Sequence, residues 1–254
     1  MTFLYGLSTI DSRRGDKNVE RKKAIINRVT GEIFHPARIY YHVYDRKKLL
    51  SLLGTLKCMQ FDNLHTRWVW LYEGEAKQLK FKNPYSSIPK AQRPIVLGSL
   101  YLRKEDEAFI DLRSFERAIK AILFFDRNIP RNTIKVKDIA VVNKCFEFPI
   151  KLQPNFDEFF ESGDVVSNDP EAMLDKISDM KGFAAIKEKF TNLMNIIENL
   201  AKEKLPEIER FPVNYYEDGI DSLETALRMR DIVALEHWKG NNNFSIFDVV
   251  KNIK

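Results

Sequence analysis

Residues 94–127, PIVLGSLYLRKEDEAFIDLRSFERAIKAILFFDR, contain a change from a strand pattern to a helical pattern. PIVLGSLYL and AFIDL are apolar runs separated by an acidic turn at residues 105–107, which predicts two neighbouring strands. From Ser114 onward the apolar period becomes helical. The predicted apolar stripe of this helix consists of Phe115, Ile119, Ile122 and Leu123. A sheet that runs directly into an amphipathic helix indicates a layered fold of strands and helices.

Upstream of this stretch the pattern is mainly that of strands and turns. TFLYGLS, KAIINRV and IFHPARIYYHVY predict strands, and RKKLLSLLGTLK predicts one helix with Asp45 as its N-cap. The strongest hairpin signal joins TRWVWLY to EAKQLKF through a turn at 73–74. In that register Arg67 pairs with Lys80, and both share a face with Lys82. Like charges placed opposite each other favour an anion between them.

Downstream of Pro149 the pattern is helical. Asp169-Pro170-Glu171 predicts a helix that ends at Gly182, and FAAIKEKFTNLMNIIENLAKEK predicts the longest helix of the chain. A capping box at 221–224 begins a helix that runs to about Trp238, and Ser245 caps a short terminal helix. The fold class expected is therefore α+β, a strand-rich basic N-terminal layer with a helical acidic C-terminal part.

The net charge of +5 is the difference between two larger charges of opposite sign. Residues 1–153 carry 29 Lys and Arg against 16 Asp and Glu, a net charge of +13. Residues 154–254 carry 12 Lys and Arg against 20 Asp and Glu, a net charge of −8. The same boundary separates the strand-rich from the helical pattern. We therefore expect a basic α/β region, 1–153, that binds nucleic acid, and an acidic all-helical region, 154–254, that binds protein.

Several classes of site have no support in the sequence. No glycine-rich nucleotide-binding loop is present, and the four histidines form no H-E-x-x-H motif. His35 and His42, seven positions apart on one predicted strand, could share a metal only across a bulge. We therefore expect neither a metal nor a cofactor. Cys58 and Cys145 are isolated in the sequence, and no apolar window is long enough to span a membrane, so a cytoplasmic location is expected.

The candidate nucleic-acid-binding residues are fourteen of the sixteen lysines and arginines in the first 82 residues. Six of them fall within eleven residues and form a basic arm, and tyrosines at 40, 41 and 44 follow on a predicted strand platform. The full set is Arg13, Arg14, Lys17, Arg21, Lys22, Lys23, Arg28, Arg38, Arg46, Lys47, Lys48, Arg67, Lys80 and Lys82.

These features predict a non-enzymatic nucleic-acid-binding protein that prefers RNA or single-stranded DNA. We expect it to be an accessory subunit of a larger nucleoprotein complex, with its acidic C-terminal helices contacting a protein partner. One alternative is a metal-dependent nuclease whose site is assembled from distant residues, including His35 or His42. The other is a protein-interaction module whose oppositely charged halves neutralise each other.

Overall fold

The computed structural model describes residues 7–11, 23–27, 29–147, 155–167 and 183–252. Its strands are β1 (Leu7–Asp11), β2 (Lys23–Asn27), β3 (Ala37–Val43), β4 (Met59–Asp62), β5 (Arg67–Leu71), β6 (Val96–Leu102), β7 (Glu107–Leu112), β8 (Ile134–Val142), β9 (Val166–Ser167) and β10 (Ile208–Pro212). Its helices are α1 (Arg46–Thr55), α2 (Phe115–Asn128), α3 (Phe156–Phe160), α4 (Phe183–Lys202), α5 (Tyr215–Asp218), α6 (Ile220–Trp238) and α7 (Ile246–Asn252).

Eight of these strands form one sheet in the order β4-β5-β6-β7-β3-β8-β10-β9. Neighbouring strands are antiparallel except at the β10–β9 pair, which is parallel. β1 and β2 form a separate two-stranded antiparallel sheet. The predicted α+β class is confirmed. In the described part of the chain, none of the helices combines the length and apolar composition that crossing a membrane requires.

The stretch that changes pattern folds as the sequence predicts. β6 and β7 are adjacent antiparallel strands, and α2 follows them directly. The Ser114 hydroxyl caps α2 by accepting a hydrogen bond from the Arg117 backbone N–H at 3.1 Å. The predicted apolar stripe is wrong at Leu123, which is 37% exposed, because the helix instead buries Phe124 and Phe125 against the aromatic ring of Trp70.

The predicted hairpin between TRWVWLY and EAKQLKF is wrong. β5 pairs instead with β4, where Asp62 lies opposite Arg67, and with β6 on its other side. The segment EAKQLKF, which is predicted to be the second strand of the hairpin, instead begins within a 3-10 turn at Gly74–Gln78. Glu, Ala, Lys and Gln are depleted in strands, whereas VLGSLYL has the apolar and aromatic content of a sheet interior. The predicted pair of Arg67 with Lys80, with Lys82 on the same face, is therefore not formed.

The C-terminal half is not all-helical as expected. β10 pairs with β8 from the first half, and β9 lies beside β10. Tertiary contacts hold β10 in place. Its Arg210 guanidinium lies 3.7 Å from the centre of the Tyr40 ring and forms an ion pair with Asp138 at 2.5 Å. The predicted helices at α4, α6 and α7 are confirmed. The helix predicted from Asp169 to Gly182 lies outside the described residues.

The sheet has a packed layer on each face because successive strand residues point to opposite sides. On one face α2 packs across the centre of the sheet, and Ile39 and Tyr41 of β3 belong to the large core beneath it. On the other face a smaller core forms between β8, β10 and Phe160 of α3.

Candidate nucleic-acid interface

Several of the candidate basic residues lie at one or the other of the two ends of the sheet. Val43, at the end of β3, pairs with Ile134, and that end also holds the β6–β7 turn and the start of α1. The opposite end carries the β2–β3 connection and the long β5–β6 connection, residues 72–95. β3 has seven residues, so the two ends lie about 20 Å apart.

The β5–β6 connection is held in shape by hydrogen bonds. Tyr72 is fully buried, and its hydroxyl donates to the Leu79 carbonyl at 2.7 Å and accepts from the Tyr85 N–H at 3.1 Å. The Asn83 amide donates to the Val29 carbonyl at 2.9 Å, which ties the connection to the β2–β3 turn. This segment is therefore an ordered surface, although its only regular structure is three short 3-10 turns.

Residues 77–81 and 84–86 line an open groove of about 560 Å³, hereafter the lysine groove. Tyr85 stands in its wall, where the Lys77 ammonium lies 5.0 Å and the Arg93 guanidinium 4.2 Å from the centre of its ring. Arg93 is fixed by donating to the carbonyls of Tyr85 and Ile88. The lining residues are Lys77, Gln78, Leu79, Lys80, Phe81, Pro84, Tyr85 and Ser86.

The charge around the lysine groove is positive and not neutralised locally. Lys77, Lys80 and Lys82 are exposed, and the described residues provide no ion-pair partner to any of them. The nearby acid Glu75 accepts from the Cys58 N–H at 3.1 Å. Although partial burial opposes it, hydrogen bonds from the backbone at 75, 57 and 58 hold the pKa of Glu75 below its usual value. That carboxylate is thus occupied by backbone donors.

Arg38 does not contribute to a basic surface. It is fully buried on β3, and its guanidinium donates to Asp111, Asp157 and Glu161 at 2.6–3.0 Å while lying 4.0 Å from the centre of the Phe109 ring. Four of the five guanidinium N–H donors are taken by carboxylates, and the three carboxylates around the buried group oppose the approach of a phosphate. We therefore exclude Arg38 from the proposed interface.

Two further candidates are engaged by neighbouring groups. Arg67, the first residue of β5, donates to the Asp62 carboxylate at 3.1 Å and to the Ser99 hydroxyl at 3.0 Å. Arg46 donates to the Lys104 carbonyl at the end opposite the lysine groove. Lys47 and Lys48 are exposed at that same far end, where Lys48 reaches Asn132 at 3.5 Å.

The basic arm falls largely outside the described residues. Five members of the arm lie outside them, namely Arg13, Arg14, Lys17, Arg21 and Lys22, and the candidate Arg28 lies outside them as well. Lys23 begins β2. Of the fourteen candidates, Lys80 lines the lysine groove, and Lys82 is exposed two residues further along the same connection, outside the lining. The groove also contains Lys77 and Tyr85, which are not among the fourteen. The signal that could have identified them is the local composition, because residues 72–95 contain five Lys and Arg against two Glu.

The histidines considered for a metal site lie apart. His35 is buried just before β3, whereas His42 is near its far end with its ring 4.5 Å from the Tyr44 ring. The irregularity in β3 falls between Tyr40 and Tyr41, where it does not bring the two imidazoles together. Within the described ranges, no three His, Cys, Asp or Glu side chains are grouped as metal ligands.

Comparisons with known proteins give no family for this chain, since no family model, no curated protein and no solved structure matches it. The site is therefore interpreted from its own geometry and charge.

Proposed function

We propose that the protein binds single-stranded nucleic acid, RNA or single-stranded DNA, along the lysine groove. The observation that carries this proposal is three exposed lysines without ion-pair partners in the described residues, beside a groove with a tyrosine in its wall. Phosphates are attracted by lysines, and a base can contact the aromatic ring. This combination is typical of surfaces that bind unpaired strands.

The shape of the lysine groove favours a single strand over a duplex. The groove is formed by short turns rather than by a projecting helix or ribbon. Reading a duplex through its major groove requires such a projecting element. A single strand can instead follow the lysines with its backbone while its bases turn toward Tyr85.

The test is fluorescence anisotropy with labelled twenty-nucleotide oligo-U and oligo-dT, measured with the full chain at two salt concentrations. Each phosphate contact that is lost lowers the slope of log K against log salt by about 0.7 for a single strand. We expect K80E/K82E to weaken binding at least tenfold at low salt and to reduce this slope by more than one.

The matched control is K47E/K48E, which changes the charge by the same amount at the opposite end of the sheet. A second control, K137E/K204E, changes two exposed lysines on β8 and in the loop before β10, outside the β5–β6 connection. We expect both controls to retain affinity within about threefold, the residual effect of net charge on attraction. The proposal is wrong if the wild-type chain does not bind at low salt, or if K47E/K48E weakens binding as much as K80E/K82E.

The partner expected for the C-terminal helices stays a prediction. α4 presents Phe190, Met194 and Ile197 to solvent, each about half exposed or more. Their spacing of four and three residues places them on one side of the helix. A contiguous apolar surface of this kind is typical of a protein contact site and supports a role within a larger assembly.

A further inference from the structure

Three side chains from distant parts of the sequence form a chain of polar contacts beside β3. The Cys145 Sγ lies 3.6 Å from the Nε2 of His35. The other ring nitrogen of His35, Nδ1, lies 3.2 Å from the Oδ1 of Asp231. A thiol, an imidazole and a carboxylate joined in this order have the arrangement that activates a nucleophile in unrelated hydrolases.

The contact with Asp231 decides the tautomer of a neutral His35. A carboxylate can only accept, so Nδ1 carries the hydrogen and donates it to Asp231. Nε2 then has its lone pair directed at Cys145 and accepts the thiol proton. His35 is 1% exposed, its ring centre lies 4.6 Å from that of Phe115, and its backbone N–H donates to the Arg113 carbonyl at 3.0 Å. The base is thus fixed by packing on one side and by hydrogen bonds on the others.

The other two members are also fixed in position. Cys145 lies between Asn143, whose backbone N–H donates to the Glu207 carbonyl at 2.8 Å, and Phe146, whose carbonyl accepts from the Ile25 N–H at 2.9 Å. Asp231 follows Arg230 on α6, and Arg230 donates twice to the buried carboxylate of Glu209 on β10, at 2.5 and 3.1 Å. Catalytic groups need this support from rigid elements to keep their geometry.

We propose that Cys145 is a nucleophile toward activated acyl groups, with His35 as its general base and Asp231 as the residue that positions His35. Cys145 is partly buried and does not belong to either hydrophobic core. This site is distinct from the lysine groove and does not depend on nucleic-acid binding.

The reaction balances with these groups and an ester alone. As the sulfur attacks the acyl carbon, the S–H proton moves to Nε2 of His35 and a C–S bond forms. The C–O bond of the ester then breaks, and the departing alcohol takes the proton from Nε2, which leaves an S-acyl cysteine and a neutral imidazole. Burial raises the pKa of the Cys145 thiol to about 12, and the charge of Asp231 adds to this rise. The resting thiol is therefore protonated, and attack requires the base.

The test uses p-nitrophenyl acetate with the full chain at one pH near 7.5, with peptide mass spectrometry to locate the acetyl group. Only two cysteines are present, and Cys58 is buried and serves as an internal reference. We expect acetylation of Cys145 with release of one equivalent of nitrophenol, at least tenfold faster than at Cys58. In denaturant the two thiols should react at equal rates, which gives the baseline for an unassisted thiol.

The variants separate activation from simple exposure. We expect H35Q to slow acetylation of Cys145 at least tenfold. We expect D231N to slow it several-fold and to shift the neutral His35 tautomer, read from ¹⁵N chemical shifts, because an amide can donate to Nδ1. D221N, which changes an exposed carboxylate on the same helix, should alter neither the rate nor the tautomer.

The proposal is overturned if native Cys145 is not acetylated, or if its rate is unchanged in H35Q. Should H35Q fail to fold, D231N decides, because its carboxylate is 38% exposed and its replacement leaves the core intact. An unchanged rate in folded D231N, with an unchanged tautomer, contradicts the proposed positioning of His35 and with it the triad. A failure of this test leaves the oligonucleotide measurement unaffected, since the two sites share no residue.

Discussion

Arg38 and Asp111 lie directly opposite each other on β3 and β7 and are joined by two hydrogen bonds. The Nε of Arg38 donates to Oδ1 at 2.6 Å and its Nη2 to Oδ2 at 3.0 Å, with both residues buried. The same guanidinium also contacts Asp157 and Glu161, which come from the acidic half of the chain. One arginine from the basic half thus joins the centre of the sheet to α3 and the turn after it.

Removing the buried partner of Arg38 should destabilise the fold far more than removing an exposed one. We expect D111A to lower the free energy of unfolding by about 3 kcal/mol, because a buried charge loses its main partner. D157A removes a carboxylate that is 63% exposed, and we expect it to cost less than about 1 kcal/mol. Urea unfolding of both variants measures the difference, and equal losses would contradict the assignment of Asp111 as the main partner.

The stability of the fold should decline between about pH 4 and pH 6 on account of Asp111. Burial, with the nearby carboxylates of Asp157 and Glu161 and against the pull of Arg38, raises the pKa of Asp111 to about 6. Between the unfolded value near 4 and this value, the folded chain keeps a proton that the unfolded chain releases, so stability falls as the pH rises.

The measurement is urea unfolding of the wild type and D111N at pH 4 and pH 7. We expect the stability of the wild type relative to D111N to drop by about 1–3 kcal/mol between the two conditions. A relative stability that stays constant or increases would show that the pKa of Asp111 is not raised.

Gly98 should not tolerate a methyl group. A Cβ at this position would lie 2.7 Å from the Leu112 Cδ2 and 3.0 Å from the Asp111 carbonyl oxygen of the neighbouring strand. Because a backbone atom cannot yield as a flexible side chain can, we expect G98A to cost about 1–3 kcal/mol by thermal or urea unfolding. G163A is the control, since no atom lies within 4 Å of its added carbon, and its effect should stay within about 0.5 kcal/mol.

The tyrosine of the lysine groove should contribute to affinity separately from the lysines. We expect Y85L to weaken oligonucleotide binding by about 1–3 kcal/mol without changing the salt slope, because it removes a stacking surface and no charge. Y44L removes a 55% exposed ring near Lys47 at the opposite end of the sheet and should leave affinity unchanged. The anisotropy assay compares both, and a changed salt slope in Y85L would indicate that the groove itself had rearranged.

Local signals accounted for the elements that the sequence predicts correctly. The start of α2 is fixed by Ser114 and that of α1 by Asp45, whose carboxylate accepts from the Lys48 N–H at 2.9 Å. These contacts span three residues and can be recognised from the sequence alone. The pairing of β5 with β6 across residues 72–95 and the insertion of β10 beside β8 depend instead on residues far apart in the chain, and short-range patterns do not encode that choice.

The sequence predicts that the first part of the chain is basic, but it does not predict which of its basic residues lie on the same surface. The sequence predicts Lys80 and Lys82 as contacts, but it equally predicts Lys47 and Lys48, which the topology places at the other end of the sheet. It predicts Arg38 as well, because this residue is basic and lies on a strand beside tyrosines. Its position opposite Asp111 is fixed by the β3–β7 register, which only the folded sheet defines.

The position of β10 has a practical consequence for locating the nucleic-acid contacts. Ending the chain at residue 153 would remove β10 from β8 and two carboxylates from Arg38. The uncovered strand would offer unpaired backbone groups to any other chain, which favours aggregation. Binding measured with such a fragment would include nonspecific association through the exposed strand. The contacts should therefore be mapped by point substitution in the full chain rather than by truncation.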